Sequence, residues 1–234
     1  MPKPRADKNT ARPAGLANLV RHVLNIIGTN DSGDIERGRM RLLGRLQIQL
    51  GPVQWEHVTD HCERVSMLAR HIAAAMGLSP QQTERIRIAG LLHDIGKCLI
   101  PETLLAKPAA LTADEWSVMK RHERYGVWIA QRLGVDRAAA TCIKYHHRRF
   151  DAEPTDEPGN ARVDSPDHEP IPIGASILCT ADALVTMLSE RPYCPARSVA
   201  SGLNELHLQR GRQFDPDVVD AVGSSETITR RLAA

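Results

Sequence analysis

The sequence predicts an all-α protein. Apolar residues recur at three- and four-residue spacing along most of the chain, and no run of alternating β-branched residues occurs. Helix-start chemistry also stands where periodic stretches begin: Ser79-Pro80 reads as an N-cap with proline in the first turn, and Thr112 to Glu115 as a capping box. Taken in order, residues 1–14 carry three prolines and four basic residues without apolar periodicity, and read as a flexible leader. Residues 15–51 read as an N-terminal helical extension, with Leu19, Val20, Val23, Leu24 and Ile27 on one stripe closed by Gly28. A second stripe there (Met40, Leu43, Leu46, Leu50) ends at Gly51-Pro52. Residues 52–225 read as one helical domain with breaks at 77–80, 96–108, Gly134 and 148–170. The last of these, Pro-rich and acidic, is expected to be a surface loop. Within that domain Trp116, Met119, Gly126, Ile129 and Leu133 are expected to form the inner stripe of one helix. Residues 226–234 are expected to be a tail.

Composition narrows the function. The chain has 234 residues, with 30 Lys and Arg against 28 Asp and Glu, so the net charge of +2 predicts no nucleic-acid polymer as partner. No apolar run approaches the ~20 residues of a membrane span, so no membrane is expected as partner. The basic, Pro-rich start lacks a signal-peptide pattern, and a cytoplasmic location is expected. The five cysteines form no Cys-x-x-Cys pair, which opposes both a disulfide framework and a zinc knuckle. Aromatic residues make up only 3%, whereas histidines number ten.

Several of those histidines fall on inward helical stripes. His93 follows Ala89 by one turn and Ile86 by two, and Asp94 comes next. A buried aspartate without a partner costs several kcal/mol, so a cation should lie beside it. Lys97, one turn on, is one source; a divalent metal is the other. His122 lies between Met119 and Gly126 on their stripe, and the pair His146-His147 ends a helix one turn after Cys142 and Ile143. His57 and His61 share a face at four-residue spacing, which suits gripping one ion. His71 lies off that face and is read as a non-ligand. Asp182 sits in the apolar run from Ile177 to Val185. Each position has an ordinary structural explanation; together they ask for a shared counter-charge. Nitrogen and carboxylate donors without thiolate favour iron or manganese, with zinc, nickel and cobalt compatible.

These residues resemble the HD superfamily of metal-dependent phosphohydrolases, whose signature of a His, a His-Asp pair and a distant Asp is matched by His61, His93-Asp94 and Asp182. HDIGK at 93–97, the stretch at 100–116, His122, His146-His147, SERPY at 189–193 and QFDP at 213–216 resemble, more narrowly, the HD-GYP class of cyclic di-GMP phosphodiesterases. The resemblance implies an HD-domain helical bundle with a short N-terminal helical extension. It also implies hydrolysis of a cyclic dinucleotide, cyclic di-GMP first among them, to the linear dinucleotide or GMP. His61, His93, Asp94 and Asp182 would surround one divalent ion, and Asp94 would bridge to a second held by His122, His146 and His147. Asp94 and Lys97 would be the catalytic pair, Lys97 and Arg191 would hold phosphate, and a signalling-protein partner or a homodimer would fit the class.

The chain departs from that class in places. The His pair continues into Arg148-Arg149-Phe150-Asp151 rather than a Glu and a Gly-Tyr-Pro loop. His57 replaces the glutamate of a third metal site, so two ions are expected and a third is allowed at His57. Val185 and Cys194 replace nucleotide-contacting Asp and Lys, while Arg191 is kept. Two alternatives follow: a degenerate binding module with little or no turnover, and an HD phosphohydrolase acting on another nucleotide.

Overall fold

The computed structural model describes residues 52–151, 171–190 and 195–233, with side chains from Val58 to Leu232 within those ranges. Both stripes of the N-terminal extension, the leader, His57, Arg191 and Cys194 lie outside the described side chains. The described residues fold as helices without a β-sheet, as the sequence predicts: α1 (Pro52–Ala75), α2 (Pro80–Leu92), α3 (Glu102–Leu105), α4 (Ala113–Met119), α5 (Arg121–Arg132), α6 (Arg137–Tyr145), α7 (Ile173–Leu188), α8 (Val199–Leu208), α9 (Pro216–Ser224) and α10 (Glu226–Ala233), with a 3₁₀ turn at Ile95–Leu99. None is long and apolar enough to cross a membrane.

Both expected caps form, and the one at Ser79 is a capping box as well. Ser79 accepts from the Gln82 amide while Gln82 reaches back to the Ser79 amide, and Thr112 and Glu115 do the same. At α6 the Asp136 side chain caps the Ala139 amide at 2.8 Å and pairs with Arg85 of α2, which ties the two helices. The centre of the fold is α7, buried from Gly174 through Ala181, a helix apolar nearly all round and covered by α1, α2, α6 and α8. Ile72, Leu92, Ile129, Ile143, Ile177 and Leu178, each under 2% exposed, form the shared core. Each such side chain contributes about 1.5–3 kcal/mol through burial.

Two glycines set the crossings that matter downstream. A Cβ at Gly90 would lie 2.7 Å from the Ser66 Cα, so α2 approaches α1 backbone to backbone. A Cβ at Gly96 would lie 1.9 Å from the His122 carbonyl oxygen, so the 3₁₀ turn rests directly on α5. His93 and Asp94 stand between these two contacts.

Three expectations need correction. The stripe from Trp116 to Leu133 does not belong to one helix: the chain bends at Lys120, between α4 and α5, and Trp116 is 51% exposed. The break expected at 96–108 contains the 3₁₀ turn and α3. The end of the chain, expected as a tail, forms α10 through Ala233 and buries Ile228 against the core.

The two glycine environments give a test. Gly96→Ala is expected to destabilise the fold by about 3 kcal/mol or more, because the atom it meets is backbone. Gly223→Ala in α9, where the added methyl meets nothing within 4 Å, is expected to stabilise by about 0.5–1 kcal/mol through helix propensity. Denaturant titration of the two variants checks both.

Candidate metal centre

Three histidines are held in one repeated way. Each sits in the last or first turn of a helix and turns its Nδ1 onto the carbonyl three residues back: His93 to Gly90 at 2.8 Å, His122 to Met119 at 2.7 Å and His146 to Ile143 at 2.7 Å. A carbonyl only accepts, so Nδ1 carries the hydrogen and donates it. Nε2 is then left as a bare lone pair. All three residues are at most 3% exposed.

Those lone pairs converge on Asp94, itself 3% exposed. His93 Nε2 lies 3.5 Å and His61 Nε2 3.9 Å from Asp94 Oδ2, and His122 Nε2 lies 3.6 Å from Oδ1. Lys97 donates to Oδ2 at 2.5 Å, so the sequence-expected cation is present. On the other wall, His61 Nε2 contacts Asp182 Oδ1 at 3.0 Å, and His147 Nδ1 lies 3.9 Å from Asp182 Oδ2. The ring centroids of His122 and His146 are 5.5 Å apart, and those of His146 and His147 3.9 Å.

The donor atoms fall into two groups that share Asp94. His61, His93 and Asp94 form one; Asp94, His122, His146 and His147 form the other, with all donor atoms in each within 4.8 Å of one another. Four buried atoms in these groups lack any hydrogen-bond partner: His93 Nε2, Asp94 Oδ1, His122 Nε2 and His146 Nε2. Interiors rarely leave such atoms bare, and here all four are lone-pair donors aimed into one space. Residues of this kind, oriented by carbonyls behind them, fit a divalent cation.

The electrostatics agree. Burial alone would raise the Asp94 pKa, but Lys97 and then His93, His122 and His61 outweigh it and hold the carboxyl well below its usual range. Asp182 is depressed as well, against the burial that would raise it, chiefly through its hydrogen bond from His61. Burial lowers His122 to about 4, with Asp94 partly opposing, and pushes His146 well below the ordinary imidazole value. His122 and His146 are therefore neutral, and Asp94 and Asp182 charged, at neutral pH, the states in which imidazole and carboxylate can take a cation.

The structure thus brings together every described member of the sequence-predicted set: His61, His93, Asp94, Lys97, His122, His146, His147 and Asp182. Two are less enclosed than the stripes suggest: His147 is 44% and Asp182 18% exposed at the side chain, so both line the mouth. His71, read as a non-ligand, donates from Nδ1 to Met67 O at 2.6 Å. Sequence reasoning missed the second tier, the carbonyls of Gly90, Met119 and Ile143 and the Cys62 thiol 3.8 Å from His93 Nδ1. The repeated three-residue offset was its only signal.

An all-helical bundle with a His and His-Asp cluster at its centre is the architecture of a metal-site domain, and comparison with known proteins gives the family. Residues 58–187 match the HD domain family, and the chain belongs to it. It is 39% identical over 163 residues, 68% of this chain, to the cyclic di-GMP phosphodiesterase response regulator RpfG of Xanthomonas campestris pv. campestris (strain 8004). It is 31% identical, over 68% of this chain, to a 3′3′-cGAMP-specific phosphodiesterase 2 of Vibrio cholerae serotype O1. The chain spans only 41% and 30% of those two relatives. Among solved structures, Bd1817, an HDG"Y"P protein from Bdellovibrio bacteriovorus, superposes with a TM-score of 0.56 at 13% identity, covering 97% of this chain and 75% of that one. At that identity the likeness shows the fold.

The depressed imidazoles make stability pH-dependent. Below the ordinary value of 6.5 the unfolded chain protonates His122 and the folded chain does not, until about 4. Chelator-treated protein should therefore lose stability as pH falls through that window, by up to about 1.4 kcal/mol per pH unit for each such imidazole. His146 acts in the same direction. Denaturation midpoints from pH 7.5 to 4.5 check this, and His122→Gln should flatten the slope.

Proposed function

We propose that this chain is a metal-dependent phosphodiesterase that hydrolyses a cyclic dinucleotide, cyclic di-GMP first, to the linear dinucleotide or GMP. The carrying observation is the pair of donor groups sharing Asp94, with four buried lone-pair atoms unpartnered between them. The curated relatives, cyclic di-GMP and 3′3′-cGAMP phosphodiesterases, support the substrate class.

In this reading His61, His93, Asp94 and Asp182 hold one divalent ion and Asp94, His122, His146 and His147 hold another, iron or manganese by donor type, with zinc, nickel or cobalt compatible. His57 would add a third. Bound there, such ions supply a nucleophile at neutral pH and neutralise charge on the phosphoryl oxygens. The chain supplies the rest. The carbonyls behind His93, His122 and His146 fix the tautomer and aim Nε2 before any ligand arrives. Lys97 balances the charge of Asp94 and, 27% exposed, places an ammonium where a phosphodiester would enter; Arg191 would be its companion. The mouth, between His147 and Asp182, gives substrate and water a way in. The same reading has the protein working in the cytoplasm with a signalling partner or as a homodimer.

A second reading, a binding module with little turnover, is favoured by one feature. The segment after His146-His147 is pinned instead of forming a Gly-Tyr-Pro loop: Phe150 and Asp151 amides donate to the carbonyls of Gln213 and Arg212 at 3.2 and 2.8 Å. An HD phosphohydrolase for another nucleotide is separated from both by a substrate panel.

Protein loaded with Mn(II) or Fe(II) is expected to linearise cyclic di-GMP, and His93→Ala and Asp94→Ala to lose metal and activity together. A fall of about a thousandfold or more corresponds to about 4 kcal/mol of transition-state stabilisation. Metal bound without turnover on any cyclic dinucleotide selects the second reading; full activity in both variants removes the proposed centre.

A further inference from the structure

A groove of about 570 Å³ opens between α1, α7, the residues before α8, and α10, lined by none of the metal-centre residues. Its position follows from helix geometry. His61 and Arg64 lie one turn apart on α1, Asp182 and Val185 one turn apart on α7, and the helices advance in the same sense: His61 meets Asp182, and Arg64 donates to Ser189 Oγ at 3.0 Å. The groove therefore starts about one helical pitch, roughly 5 Å, beyond the ligand pair.

Its chemistry is one-sided. Three guanidiniums from three separate elements, Arg64, Arg197 and Arg231, line it together with His71, and no Asp or Glu is among its described lining residues. Arg197 has a distant partner in Glu205 at 3.6 Å. Among the described residues Arg64 has as side-chain partner only the Ser189 hydroxyl, and Arg231 makes no ion pair. The floor is apolar, with Val185, Leu188 and Ile228. Like charges gathered over an apolar floor fit an anion that carries a flat or apolar body.

We propose that this groove takes the far half of the substrate, the second phosphate on Arg64 and Arg231 and its nucleoside on the apolar floor, while the scissile phosphate lies at the metal centre. The proposal rests on the cyclic-dinucleotide reading and adds a subsite to it. A cyclic dinucleotide carries two phosphates within one small ring, so a second anion-binding group one turn from the centre matches its build. A single phosphodiester with no second phosphate cannot use it. Arg231 belongs to α10, beyond residues 58–187, so the subsite depends on a helix outside the family match.

The test compares Arg64→Ala, Arg64→Lys and Arg231→Ala with Arg230→Ala, a control on the same helix whose guanidinium pairs with Glu226 and does not line the groove. Melting temperatures first confirm that all are folded. With Mn(II)-loaded protein, KM for cyclic di-GMP should rise about tenfold in Arg64→Ala and Arg231→Ala with kcat within about twofold. Kinetics on bis(p-nitrophenyl) phosphate should not move, Arg64→Lys should recover part of the loss, and Arg230→Ala should match wild type. Equilibrium binding of cyclic di-GMP to chelator-treated protein should weaken in parallel, which also serves a wild type that binds without turnover. Unchanged KM and binding, or equal losses on both substrates, overturns the subsite alone. A wild type that neither binds nor hydrolyses any cyclic dinucleotide overturns the functional reading and the subsite together.

Discussion

A single buried carboxylate organises this molecule. Asp94 is 3% exposed and faces Lys97, His61, His93 and His122, groups drawn from α1, from the turn after α2 and from α5. An isolated carboxylate in that position would cost several kcal/mol, and one lysine satisfies only one of its oxygens. The fold tolerates the arrangement because the charges offset one another, and because the site has room for more positive charge than Lys97 brings.

The second feature is preorganisation. The Nδ1-to-carbonyl bonds at His93, His122 and His146 use the helix backbone itself to fix three rings, so no further side chain is needed to orient them. Backbone-to-backbone crossings at Gly90 and Gly96 then fix how far apart the helices carrying those rings stand. Core packing, tautomer and ligand spacing are thus one problem solved by the same few residues. His147 and Asp182, nearer solvent, form the open side of the same cluster.

Much of this was legible in the chain. The caps at Ser79 and Thr112 are local hydrogen-bond chemistry and appear where residue type and spacing put them. His93, His122 and His146 were legible because each continues an apolar stripe by three or four residues. The bend at Lys120 was not, since a helical period persists across a kink and only tertiary packing decides that Trp116 turns to solvent. Nor was the division of the ligands into two groups around Asp94, which depends on interhelical distances. Ile228 and Leu232, four apart, held the signal for α10, but a short polar end reads as a tail until something packs on it. Arg64, Arg197 and Arg231 lie too far apart in sequence for any local pattern to join them.

The claim on which all this turns is that divalent cations belong between the unpartnered nitrogens and Asp94. Diffraction from crystals grown with Mn(II), with data collected at the manganese edge, tests it most directly. Two anomalous peaks are expected to flank Asp94, one bounded by His61 and His93 Nε2 and the other by His122 and His146 Nε2. Crystals that show no peak there, with Asp94 held by Lys97 alone and manganese confined to surface carboxylates, would contradict it.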